Sequence, residues 1–258
     1  MTDVTKSKPW LPYVLPMAIY MAFLAVQTDA NLLWMYPLKT ITVAAALWFF
    51  RKEYDELWSP MWCSSRAAPT PGPSAGGEMR GGAASGDAAY NGAKPATASG
   101  ALALQSWLLA IAVGLVVIVI WIGIDSFYPK FGKAVPFDPT TIASLAQRNV
   151  FIVFRIVGAV LVVPVMEELF WRAFLIRWLV KEDFKSVAIG AFTLQSFAIT
   201  VALFGAEHYQ WLAGLICGAL YNWLYYKRKD VFACVVAHAV SNAALAAWVL
   251  ARGDWKFW

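Results

Sequence analysis

An all-α bundle of membrane-spanning helices is predicted by three features of this 258-residue sequence. Apolar residues make up 60% and charged residues 14%, against roughly 45–50% and 25% in a soluble domain. The apolar residues fall in blocks near the length of about 20 that a helix needs to cross the hydrocarbon layer. Within each block they run continuously, whereas a membrane barrel shows short alternating segments. The polytopic bundle expected has about seven spans, or eight if one segment is broken or re-enters.

The first span, 11–27, follows Lys6 and Lys8 and so resembles a secretory signal. Its end, AVQTDANLLW, has no small-residue cleavage site and leads at once into a second apolar block, which marks an uncleaved span. The second, 32–50, closes on Arg51 and Lys52. From Ser59 to Gly100 the chain turns rich in Gly, Ala, Pro and Ser, a composition that cannot bury enough apolar surface to fold alone. The expected organisation is therefore a two-span unit at 1–58, a flexible linker at 59–104 and a membrane-embedded core at 105–258. Within that core, spans are expected at 105–124, 150–171, 187–206, 211–226 and 231–250. The loop from Asp125 to Gln147 carries Tyr128, Pro129, Phe131, Pro136 and Phe137, aromatic content suited to the bilayer surface.

Basic residues set the orientation. With the N-terminus inside, that side holds most of the Lys and Arg, including Lys6, Lys8, Arg51, Lys52 and the Lys227, Arg228, Lys229 turn. The opposite side holds Lys130, Lys133, Arg148, Arg252 and Lys256, while Lys39, Arg155 and Arg172 fall within spans. The positive-inside rule thus places the N-terminus in the cytoplasm. The net charge of +5 comes from residues scattered between apolar blocks, not from a stripe fitted to nucleic acid. Cys63, Cys217 and Cys234 make neither a metal-like spacing nor a closed disulfide set.

Three polar sites interrupt the apolar blocks. In EELFWR, Glu168 and Arg172 lie four apart on one helical face and Glu167 projects about 100° away. A paired Glu168 leaves Glu167 as the acid without a local partner, although all three also fit a structural ion cluster. FGAEH ends an apolar run at His208, with Gly205 offering a break in the helix; taken alone, this reads as an interfacial histidine. HAVSN puts His238 and Asn242 on one face, which alone reads as an interhelical hydrogen-bonded pair.

Together the sites suit the attack of water on a peptide bond. A glutamate can take the proton, a histidine can orient the water, and a histidine with the asparagine can donate to the developing oxyanion. Glu167, His208 and His238 also make a His-His-Glu zinc set with one open position. Two alternatives stand beside hydrolysis. A haem or electron carrier would use the two histidines as axial ligands, leaving Glu167, Glu168 and Asn242 unexplained. A non-catalytic membrane partner or transporter-like protein would use the cluster only to lock helices or bind an ion.

The order EExxxR, FxxxH, HxxxN on successive spans resembles the CAAX protease and bacteriocin-processing (CPBP, or Abi) family of intramembrane proteases, which includes the Ras-converting endopeptidases. The likeness runs from about Phe151 to Leu250. It implies Glu167 as catalytic base, His208 as its partner on the water, His238 and Asn242 as the oxyanion site, and Glu168 and Arg172 in support. It also implies a CAAX-type endopeptidase, glutamate-dependent or metallo-type, in a bacterial inner membrane, with a membrane-associated protein or peptide as substrate. Eukaryotic relatives remove the last three residues of prenylated proteins. Some bacterial members accompany exosortase-type sorting systems, and the short spacing from His208 to His238, with WIGIDSFYP upstream, resembles that subgroup.

Seven straight spans would keep the two histidines apart, His208 near the outer face and His238 about seven residues into a helix rising from the inner one. A broken, tilted or re-entrant segment is therefore predicted before His208, with the two imidazoles within about 15 Å of one another.

Overall fold

The computed structural model describes residues 3–28, 30–58, 96–130 and 136–258, without a strand among them. Most of the Gly/Ala/Pro/Ser-rich linker expected at 59–104 lies outside the described residues, as does Phe131 of the aromatic loop. Among the described residues, seven long helices form the body: α1 Leu11–Val26, α2 Leu32–Phe49, α3 Ala96–Gly123, α4 Leu145–Trp178, α5 Leu194–Ala206, α6 Trp211–Arg228 and α7 Val231–Arg252. They stand at the seven apolar segments read from the sequence. This is an integral membrane protein.

Local chemistry accounts for the helix ends. The Ser144 hydroxyl accepts from the Gln147 N–H to open α4, Thr193 accepts from Ser196 to open α5, and Asp230 accepts from Phe232 and Ala233 to open α7. Each satisfies an N–H that the first helical turn leaves without a partner. Lys229 closes α6 at φ 51° and Gly253 closes α7 at φ 66°, both in the left-handed conformation that stops a helix.

Two helices depart from straight spans. α4 runs 34 residues rather than the expected 150–171, about 50 Å at α-helical rise and more than a hydrocarbon layer requires. The segment expected at 187–206 is broken. Residues 187–193 are not helical, and α5 has only 13 residues, about 20 Å, too short to cross. The break comes at Gly190, whose φ of 79° residues with a side chain rarely adopt. Gly205, read from the sequence as the break, lies inside α5 instead. A Cβ there would come within 2.6 Å of the Leu215 side chain and one on Gly214 within 3.0 Å of Gly205 Cα, so this glycine pair lets α5 and α6 touch.

Burial is arranged for lipid. Tyr13, Val43, Met166, Leu169, Tyr221, Leu224 and Ala237 are sealed inside, while Trp48, Val119, Leu161 and Leu194 are more than half exposed. Such a surface is unfavourable in water and ordinary against acyl chains. Close packing then does more than apolar burial to hold the helices, through small residues such as Gly205 and Gly214. The N-terminal segment is tied in by charge: Arg177 at the end of α4 pairs with Glu56 at 2.6 Å and donates to the carbonyls of Ala173, Val187 and Lys185. Glu56 also accepts from the Tyr13 hydroxyl at 2.9 Å. Arg177→Ala is expected to cost about 3 kcal/mol, since it strands a mostly buried carboxylate; a thermal melt of the detergent-solubilised protein checks this.

Candidate active site

The site is built where α4 changes helical register. Gly158–Val162 and Leu169–Leu175 are π-helical, on either side of the Val163–Glu168 turn that carries both glutamates. The first bulge has a sequence cause. In π register the Gly158 carbonyl accepts from the Val163 N–H, so the Ala159 carbonyl would need an N–H from residue 164, which is proline. Asn242 supplies it instead, its Nδ2 donating to Ala159 O at 2.8 Å. Pro164, three residues before Glu167, was the legible sign of this irregularity.

Glu168 and Arg172 pair as their spacing implied, Oε1 to Nη1 at 3.1 Å, and both are sealed from solvent. The same Oε1 accepts from His238 Nδ1 at 3.0 Å. Arg172 extends the network, donating through Nε to Asn222 Oδ1 at 3.1 Å and through Nη2 toward Gly218 O at 3.4 Å. Asn222 Nδ2 in turn donates to Thr200 Oγ1 at 2.9 Å. Four helices are thereby joined through one guanidinium. Asn222 and Thr200 escaped the sequence reading because single amides and hydroxyls in apolar helices carry no spacing signal.

Glu167 faces the other way, into a cavity of about 320 Å³ that His208, His238 and Asn242 also line. Its Oε2 is buried and has no hydrogen-bond partner among the described residues. The short α5 brings His208 inward. The ring centroid of Phe204, one turn before it, lies 4.8 Å from that of His208 and 6.4 Å from that of His238, which keeps the imidazoles inside the expected separation. His208 Nδ1 sits 2.7 Å from the Phe204 carbonyl; a carbonyl only accepts, so Nδ1 carries a proton. Its Nε2 lone pair is left over. On the far wall, Tyr221 stacks on His238 at 5.3 Å between centroids and its hydroxyl bonds Ser241 at 2.6 Å, which donates to His238 O.

A metal would find a different set from the one read in the sequence. Among the described residues, the ligand atoms of Glu167, Glu207 and His208 lie within 4.8 Å of one another. His238 is not in that group; its Nδ1 contacts Glu168. Glu207, noted in the sequence only as a neighbour of His208, takes its place.

A family model described as Type II CAAX prenyl endopeptidase Rce1-like matches residues 149–244. This segment carries an Rce1-like domain. The comparison with curated proteins returns no match, and neither does the comparison with solved structures. The Rce1-like segment contains EELFWR, FGAEH and HAVSN, and with them most of α4, α5, α6 and most of α7. The cavity draws further walls from outside it: Tyr20, Gln27, Tyr36 and Lys39 from the N-terminal helices and their connection, and Val117 and Trp121 from α3.

Proposed function

We propose that this protein hydrolyses a peptide bond of a membrane-associated protein or peptide, with Glu167 as the base. The Rce1-like match supports a protease, and the observation that carries the mechanism is the unpartnered Glu167 Oε2 sharing a cavity with His208, His238 and Asn242. Water between Glu167 and His208 Nε2 gives its proton to Glu167 as its oxygen bonds to the carbonyl carbon. Glu167 then returns the proton to the amine as the C–N bond breaks. Asn242 spends one Nδ2 hydrogen on Ala159 O and keeps a second for the oxyanion. His238, its Nδ1 held by Glu168, offers Nε2 to the same place, as donor when the ring is doubly protonated. Glu168 and Arg172 position His238 and do not touch substrate.

The experiment is mass spectrometry of membrane and surface proteins from cells carrying wild type or Glu167→Gln. A terminus formed only with wild type supports the reading and names the target; identical termini sink it. The metal question has its own test. Activity is expected to survive strong chelators, since Glu167 serves as base. Loss with a chelator and return with zinc would make Glu167, Glu207 and His208 ligands instead.

A further inference from the structure

One ring on the cavity wall is unused by the hydrolytic steps. Tyr221 of α6 is 1% exposed, lines the same cavity as Glu167, and stacks on the His238 ring with centroids 5.3 Å apart and planes at 30°. Its hydroxyl sits 2.6 Å from Ser241 Oγ, which donates to the His238 carbonyl at 2.8 Å. A serine has one proton to give, and a carbonyl only accepts. The Ser241 proton is therefore spent on His238 O, and the phenol donates to Ser241. Tyr221 keeps no hydrogen for a substrate; its ring and its tether are what it contributes.

The imidazole it covers is hydrogen-bonded at one corner. His238 Nδ1 meets Glu168 Oε1 at 3.0 Å, and because Glu168 is ion-paired to Arg172 at 3.1 Å it acts as the acceptor, so Nδ1 carries the proton. That bond leaves the direction of Nε2 to follow the tilt of the ring. The Phe204 ring stands edge-on to His238, 6.4 Å away at 67°, and presents no parallel face. Tyr221 presents one from the facing helix, and the Ser241 bridge ties it to the backbone of the residue it covers. Resting on the protease reading above, we propose that Tyr221 is a positioning residue for the oxyanion step, its ring setting the plane in which His238 presents Nε2 to the cavity. Aromatic pairing at this separation is favourable beyond simple burial, and a doubly protonated imidazole is drawn to an aromatic face as well. The benefit falls in the step where charge develops on the carbonyl oxygen, so it belongs to kcat rather than KM.

The test pairs kinetics with magnetic resonance. On the substrate that terminus mapping yields, Tyr221→Leu is expected to lower kcat about tenfold with KM unchanged. Tyr221→Phe keeps the ring, loses the hydroxyl, and is expected to recover most of that loss. The chain holds two histidines, so isotopically labelled histidine gives two imidazole signals, and the one that survives in His208→Ala belongs to His238. Loss of the ring in Tyr221→Leu is expected to displace that signal, and Tyr221→Phe to hold it near its wild-type position. If Tyr221→Leu does not fold, Tyr221→Met, which fills the space without a ring, is read against the same outcomes. Wild-type kcat without the ring, a rise in KM at unchanged kcat, or a loss in Tyr221→Phe as deep as in Tyr221→Leu each overturns the proposal, as does an undisplaced His238 signal, which needs no substrate. Turnover persisting in Glu167→Gln, or termini identical with and without Glu167, instead overturns the protease reading on which the proposal rests.

Discussion

Purified Glu167→Gln protein is expected to lose peptide cleavage by about 10²–10⁴-fold while melting close to wild type. The amide preserves the shape of the side chain but cannot take a proton from water. Stability is spared because Glu167 Oε2 makes no hydrogen bond to the rest of the described protein, so no partner is stranded. His208→Ala is expected to follow in activity, since the proposed mechanism uses its Nε2 to orient the attacking water. Wild-type turnover in Glu167→Gln, measured on the substrate that terminus mapping yields, would relegate the cavity to a structural or transport role.

Arg172→Ala should have the largest effect on folded yield. The guanidinium is fully buried and serves Glu168, Asn222 and Gly218 together. Its removal leaves Glu168 charged, sealed and unpaired, at about 3–5 kcal/mol. That is a large share of the stability a domain possesses. Size-exclusion recovery after solubilisation, with the melting temperature of whatever folds, measures it. Glu168→Gln combined with Arg172→Met removes both charges and is expected to recover yield without recovering cleavage, because His238 Nδ1 then faces a neutral amide in place of the carboxylate. Equal yield for Arg172→Ala and wild type would mean the ion pair holds nothing together.

The glutamates show where sequence suffices. Four-residue spacing on a helix put Glu168 against Arg172 and sent Glu167 elsewhere, and both relations hold in the structure. The conflict between His208 and His238 was equally legible, because straight spans would have held them apart. Its resolution was not. Gly190 turns the chain so that α5 starts late and delivers His208 to the cavity, while Gly205, the plausible breaker, packs against α6. A glycine announces permission for an unusual backbone or a close approach, and only neighbours decide which is used.

Composition and the length of its apolar blocks determined that this chain is a helical membrane protein, because hydrocarbon accepts no unpaired backbone and few charges. Motif order carried the resemblance that the Rce1-like match at residues 149–244 supports, while helical spacing fixed which of those side chains share a face. Only the tertiary structure decided that Glu207 and not His238 gathers with Glu167 and His208, that Asn242 mends a carbonyl orphaned by Pro164, and that Lys39 and Arg155 meet over one tyrosine. Those are contacts between helices far apart in sequence, and their distances depend on how bulges and close-packed glycines set each helix against the next.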